Sequence, residues 1–290
     1  MNKLIQELQR LYFVGDQRGF CLRADAGVPW AGGVPAVLTP AQLAEGMAGE
    51  CGVVLDLMDD TLCMRAMVIG VTRTGDWEIL ADLYRGLQED LELPAPAISV
   101  SATTGFQLWL SLAEGVKQDE ARWFVEALRA NYLADIPLAK LELVPGADEA
   151  AAGAANQVEL VPAYCPGSGK WSAFIDPSMG GMFVDESGLD MAPNMERQAD
   201  MLAAVRSIKA AEFRRACERL APPAAMAPVS GELAQAPAAG RRHATLDIGS
   251  HFTDPKAFLL AVMNDPSATA GQRIKAAKAL LPYFNDVGHS

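Results

Sequence analysis

Between residues 64 and 144 the spacing of apolar positions changes period several times. Residues 64–71 (MRAMVIGV) form a short apolar run of the kind that makes a buried strand. Asp76 then offers an N-cap, and Leu80, Leu83, Leu87 and Leu91 follow at helical spacing until Pro94 and Pro96 stop the helix. Residues 97–101 (AISVS) read as a strand, and residues 102–105 as a turn. Strict alternation follows: Phe106, Leu108, Leu110 and Leu112 point one way, Gln107, Trp109 and Ser111 the other. Ala121, Phe124, Val125, Leu128 and Tyr132 mark a second amphipathic helix, and residues 140–144 alternate again.

This order is β-α-β-β-α-β. It predicts an α+β, ferredoxin-like (RRM-like) core, in which two helices cover one face of a four-stranded antiparallel sheet. Leu4, Leu8 and Leu11 suggest an N-terminal helix, residues 15–40 are turn-rich, and residues 53–58 suggest an extra strand. Residues 146–153 read as an Ala/Gly-rich surface loop, and residues 157–161 and 171–175 as further strands. Asn194 is expected to cap one long helix running through Ala199, Leu202, Val205, Ile208, Phe213, Cys217 and Leu220. The expected organisation is an N-terminal helix and irregular segment (1–52), the α+β domain (53–220), a Pro/Ala-rich linker (221–244) and a small helical hairpin (245–290).

Charge separates the last segment from the rest. The chain of 290 residues carries −12, yet from Arg241 onward six basic residues face four acidic ones, leaving +2 there and −14 before it. A molecule-wide basic field for nucleic acid is therefore absent, while a local basic patch is available in the tail. All three histidines (His243, His251, His289) lie in that tail, so the first 242 residues contain no histidine for a Ser-His-Asp triad, a Cys-His dyad or an HExxH zinc site. The five cysteines form no CxxC and no close pair in sequence, and read as reduced, cytosolic thiols. With no signal-peptide pattern and no apolar stretch of membrane-spanning length, a cytoplasmic protein without membrane contact is expected.

Three groups of residues invite chemistry. Residues 166–170 (PGSGK) imitate a phosphate loop, but Tyr164 stands at the first glycine position and Trp171 follows Lys170. A hairpin turn is the better reading, with Lys170 left as a lone cation for a phosphate. Asp56, Asp59 and Asp60 (LDLMDD) could hold Mg²⁺, or could belong to an Asp-rich turn at a strand end. Gln107 and Trp109 either stack and hydrogen-bond a nucleotide on an open sheet face, or sit in a core covered by later segments.

The segments MRAMVIGVTRTGDWEILADLYRGLQEDL and AISVSATTGFQLWLSL resemble the catalytic core of archaeo-eukaryotic-type primase-polymerases, including plasmid RepB-like primases. In that family an apolar strand ends in a DxD metal motif, and a later strand bears a catalytic histidine. At the matching positions this chain has Gly70, Thr72 and Gln107. The tail sequence DPKAFLLAVMNDPSATAGQRIKAAKALLPYF resembles a helical segment of phage small-terminase proteins and also recurs in proteins of integrated mobile elements.

These resemblances imply a mobile-element (plasmid, prophage or integrative element) replication or maintenance protein. Its primase-like domain lacks the catalytic groups and binds DNA, RNA or a replication partner, with no cofactor and no metal site assigned. Gln107, Trp109, Lys170, Arg273, Lys275 and Lys278 are the candidate contacts, although a solvated helix face also accounts for the last three. Two alternatives stand beside it. One is an active, divergent Mg²⁺-dependent primase-polymerase drawing its carboxylates from Asp56, Asp59, Asp176 or Asp185. The other is a phage-type DNA-packaging or assembly adaptor with a packaging-protein partner.

Overall fold

The computed structural model describes residues 2–16, 18–22, 35–146, 155–221 and 259–260. Two compact units divide the chain, Met1–Ala227 and Pro228–Ser290. In the second unit the described residues, Leu259 and Leu260, are helical. The linker expected beyond Ala221, the remaining tail helices, and Arg273, Lys275 and Lys278 lie outside the described residues, as does most of the loop expected at 146–153.

The first unit begins with α1 (Lys3–Tyr12), capped by the Asn2 side chain accepting from the Leu4 amide. Strands β1 (Arg18–Leu22) and β2 (Ala36–Val37) precede α2 (Pro40–Ala48), followed by β3 (Gly52–Asp56) and β4 (Cys63–Val71). Next come α3 (Trp77–Glu89), β5 (Ala97–Val100), β6 (Phe106–Lys117), α4 (Gln118–Tyr132) and β7 (Leu141–Val144). Short strands β8 (Gln157–Glu159), β9 (Tyr164–Cys165), β10 (Lys170–Trp171) and β11 (Ala173–Ile175) lead to α5 (Met195–Ala203) and α6 (Ala210–Leu220).

The β4-α3-β5-β6-α4-β7 segment has the expected ferredoxin-like order, and β11 extends its antiparallel sheet to β11-β5-β6-β4-β7. Helices α3 and α4 lie on the face of Phe106 and Leu108, where Trp77 meets the Phe106 ring at 4.8 Å between centroids. A second antiparallel sheet, β2-β1-β3-β8, holds the strand expected near residues 53–58. It also contains β1, which the turn-rich composition of residues 15–40 concealed.

The long helix expected after Asn194 is two helices. Residues 204–209 leave the helix so that Ile208 bridges β6: its amide donates to the Ser111 carbonyl at 2.7 Å, and its carbonyl accepts from the Ala113 amide at 2.8 Å. Arg10 fixes the break by donating to the carbonyls of Leu202 and Val205 at the end of α5. Likewise, the single strand expected over 171–175 is split between β10 and β11, which join different sheets.

The second face of the five-stranded sheet is also covered. Tyr12, at the end of α1, packs on Trp109 and Phe174 with ring centroids 5.2 and 6.4 Å away. Helix α5 lies beside α1, tied to it by the Lys3–Asp200 ion pair at 2.6 Å. Gln198 of α5 satisfies the outer edge of β11, accepting from the Phe174 amide at 2.7 Å and donating to the Phe174 carbonyl at 2.9 Å. Among the described residues no helix is long and apolar enough to cross a membrane.

Candidate functional site

Strand register assembles the candidate site. Phe174, Ser99, Gln107, Gly70 and Glu142 pair in turn across β11, β5, β6, β4 and β7, forming one transverse row. A hydrogen-bond chain runs along it. The Trp109 indole N–H donates to Ser99 Oγ at 2.9 Å, and that hydroxyl donates to Gln107 Oε1 at 3.0 Å. Gln107 Nε2 then donates to Glu142 Oε2 at 2.9 Å.

The last bond passes over Gly70. A Cβ at position 70 would stand 3.1 Å from Gln107 Cγ, 3.4 Å from Glu142 Cβ and 2.9 Å from the Phe106 carbonyl oxygen. The missing side chain is therefore what lets Gln107 and Glu142 meet, on the row where the resemblance places a metal carboxylate and a histidine. Burial pushes the Glu142 carboxyl above its usual range; the Gln107 amide opposes this, while the neighbouring Glu159 adds to the upward push. The Glu159 carboxyl, at an exposed position of β8, is also raised, by the partial desolvation it meets there.

Of the two readings of Gln107 and Trp109, an open sheet face or a core covered by later segments, the structure has the covered core. Trp109 is 1% exposed, beneath Tyr12 of α1 and Phe174, and Gln107 is 6% exposed, with the polar atoms of both bonded inside the protein. Their alternation with the Phe106 face was visible in the sequence, and so was covering by later segments as one reading; the part that α1 plays in the cover was not. Ser99 and Glu142 complete the row and were missed, because register across four strands leaves no local sequence signal. Thr72 lies just past β4, half-buried, its amide donating to the Lys140 carbonyl at 3.0 Å.

The acidic candidates stand apart and serve turns. Asp56 accepts from the Met58 amide at 3.1 Å, and burial raises its carboxyl against the opposing pull of that amide and of Arg18. Asp59 accepts from the amides of Thr61 and Cys63, both at 2.8 Å. Asp60 pairs with Arg18. Asp176 is exposed and accepts from the Ser178 amide at the start of a 3₁₀ segment, Pro177–Phe183; Asp185 is exposed.

The PGSGK segment is the turn between β9 and β10, with the Gly169 amide donating to the Cys165 carbonyl. Lys170 pairs with Glu186 at 2.5 Å and Asp190 at 3.4 Å rather than standing alone.

Among the described residues, the group of three acidic or sulfur ligands that converges is Cys21, Glu45 and Cys51. The Cys21 and Cys51 sulfurs lie 3.1 Å apart, which corrects the expectation of five scattered thiols. By contrast, the Gly70 row does not fit a primase-type divalent-ion site. Gly70 offers no ligand atom, Thr72 offers a neutral hydroxyl, and the Glu142 carboxylate is held by Gln107.

No protein-family model matches the chain, and no curated protein matches it. Among solved structures it is similar to the AEP domain of the cyanophage S-2L primase-polymerase. The identity is 11% and the TM-score 0.39, over 69% of this chain and 96% of that one.

Proposed function

We propose that this protein serves replication or maintenance of a mobile element through a primase-like domain that binds nucleic acid or a replication partner without transferring nucleotides. The observation that carries the reading is the Gln107–Glu142 bond over Gly70. Two-metal phosphoryl transfer needs carboxylates that converge on the ions bridging the attacking and leaving oxygens. A glycine and an amide bonded to a partly buried glutamate supply no such group. The hydrogen-bonded row instead favours a rigid sheet whose role is to present other surfaces.

The charge distribution supports the same reading. With −14 outside the tail, the body of the protein repels a phosphate backbone, so direct nucleic-acid contact falls to the basic tail and its Arg273, Lys275 and Lys278. The test has two arms on the full chain. Template-dependent primer synthesis and extension are assayed with Mg²⁺ and with Mn²⁺; the expected result is none. Binding to labelled single-stranded DNA, duplex DNA and RNA is followed by anisotropy across a salt series. Replacing Arg273, Lys275 and Lys278 with Ala is expected to reduce the salt slope by about 0.9 for each duplex phosphate that is no longer neutralised. Nucleotide incorporation that stops when Asp56 or Asp176 becomes Ala would overturn the reading.

A further inference from the structure

The Cys21–Glu45–Cys51 cluster lies outside the row described above, and its three ligands come from three parts of the fold. Cys21 is in β1, Glu45 in the last turns of α2, and Cys51 immediately before β3. Their ligating atoms all lie within 4.8 Å of one another, with Cys51 buried and the other two half-buried.

Local structure holds this convergence in place. Helix α2 starts with a capping box between Thr39 and Gln42 and ends at Gly49, whose φ of 79° belongs to the left-handed region that glycine tolerates. That reversal delivers Cys51 to the start of β3, which pairs with β1 along its full length. A Cβ on Gly49 would stand 2.8 Å from Tyr164 Cβ, so the β9 hairpin packs closely against the same turn.

The geometry points to a binding site for a thiophilic divalent cation, Zn²⁺ in the first instance, with Cys21 and Cys51 as thiolates, Glu45 as a carboxylate and a fourth position for water. Two sulfurs bound to tetrahedral zinc at about 2.3 Å stand about 3.8 Å apart, a small opening from the 3.1 Å separation here. Soft sulfur donors select zinc over Mg²⁺ or Ca²⁺. The carboxylate of Glu45 adds an oxygen donor to the two sulfurs, a mixed set that zinc accepts and that a disulfide would not use. On binding, the two thiols release their protons to solvent and two S–Zn bonds form. The ion would tie β1 to α2 and to the entry of β3.

The experiment uses the full chain, purified under reducing conditions, stripped with a chelator and titrated with Co²⁺. A thiolate-to-cobalt charge-transfer band saturating at one equivalent, and displaced by Zn²⁺, is expected. Outer-shell changes alone weaken metal sites by about 10–100-fold, so replacing a ligand is expected to do at least as much. Cys21→Ser should therefore weaken binding at least about tenfold and halve the thiolate band or abolish it. Glu45→Gln should weaken binding while keeping the band, and Cys165→Ser should change neither.

A readout on the unaltered protein guards against a variant that fails to fold. Zn²⁺ should protect Cys21 and Cys51, but not Cys165, from alkylation mapped by mass spectrometry. Absence of the band, a band unchanged in folded Cys21→Ser, or equal alkylation of Cys21 and Cys51 with and without Zn²⁺ would each overturn the proposal. So would a Cys21–Cys51 disulfide in protein that takes up no metal once reduced.

Discussion

The Gln107 amide and the Glu142 carboxylate meet at 2.9 Å above Gly70, although their strands are separated by β4. With neighbouring strands about 4.8 Å apart, these two side chains meet over a position that carries no side chain. The glycine is therefore a packing requirement of this pair, and the pair in turn blocks side chains at position 70.

Gly70→Ala tests that dependence. An added methyl meets a backbone oxygen at 2.9 Å and Gln107 Cγ at 3.1 Å, and the backbone oxygen cannot swing away as a flexible side chain can. Overpacking of this kind costs about 1–3 kcal/mol, more than the fraction of a kcal/mol that alanine gains over glycine in the unfolded chain. Urea unfolding should show a lower midpoint with an unchanged slope. A variant as stable as the parent would disprove the crowding.

Glu142→Gln should alter how stability depends on pH. Burial raises the folded-state pKa above the ordinary value of 4.5, so in the window above 4.5 the native state binds more protons than the unfolded state. The stabilisation is complete below the ordinary carboxyl range and is lost as pH rises through the raised value. Glutamine carries no charge to bury, so the variant should gain on the parent across that window and hold a constant advantage above it. Parallel stability curves in denaturant titrations from pH 4 to 8 would contradict this assignment.

Trp109→Ala should cost about 3–5 kcal/mol by emptying a core position, whereas a surface stacking residue would cost little. Trp109→Phe keeps most of the packing and loses the indole donation to Ser99, for about 1 kcal/mol. Thermal unfolding distinguishes the two. Near-equal, small losses would return Trp109 to the surface.

Tyr12→Phe should stabilise the protein. The Tyr12 hydroxyl is buried between α1 and the sheet with no hydrogen-bond partner among the described residues, and an unsatisfied buried hydroxyl costs about 1–3 kcal/mol. The rings against Trp109 and Phe174 remain. A lower melting temperature in the phenylalanine variant would reveal a partner for that oxygen.

The sequence was most legible where one period governs one element. Leu80, Leu83 and Leu87 define the buried face of α3, and the alternation from Phe106 to Leu112 defines β6. It was least legible where tertiary contacts override a period. Ile208 and Phe213 continue a helix-compatible spacing, yet Ile208 leaves the helix to bond Ser111 and Ala113. The site divides the same way. Gly70 and Gln107 could be named from motif position, but Glu142 is one polar residue in LELV until the register places it beside them. Cys21 and Cys51 are 30 residues apart and meet because β1, a strand hidden in turn-rich sequence, pairs with β3.

Gln198 gives this sheet an end. Exposed strand edges invite other chains to add on, which is how soluble β proteins begin to aggregate. At β11 the backbone of Phe174 is already engaged at both its amide and its carbonyl, by one side-chain amide mimicking a neighbouring strand. At Phe174 that edge is thus closed by a single residue of α5. Any event that pulls α5 away from the sheet would uncover a template for self-association while leaving the other strands intact.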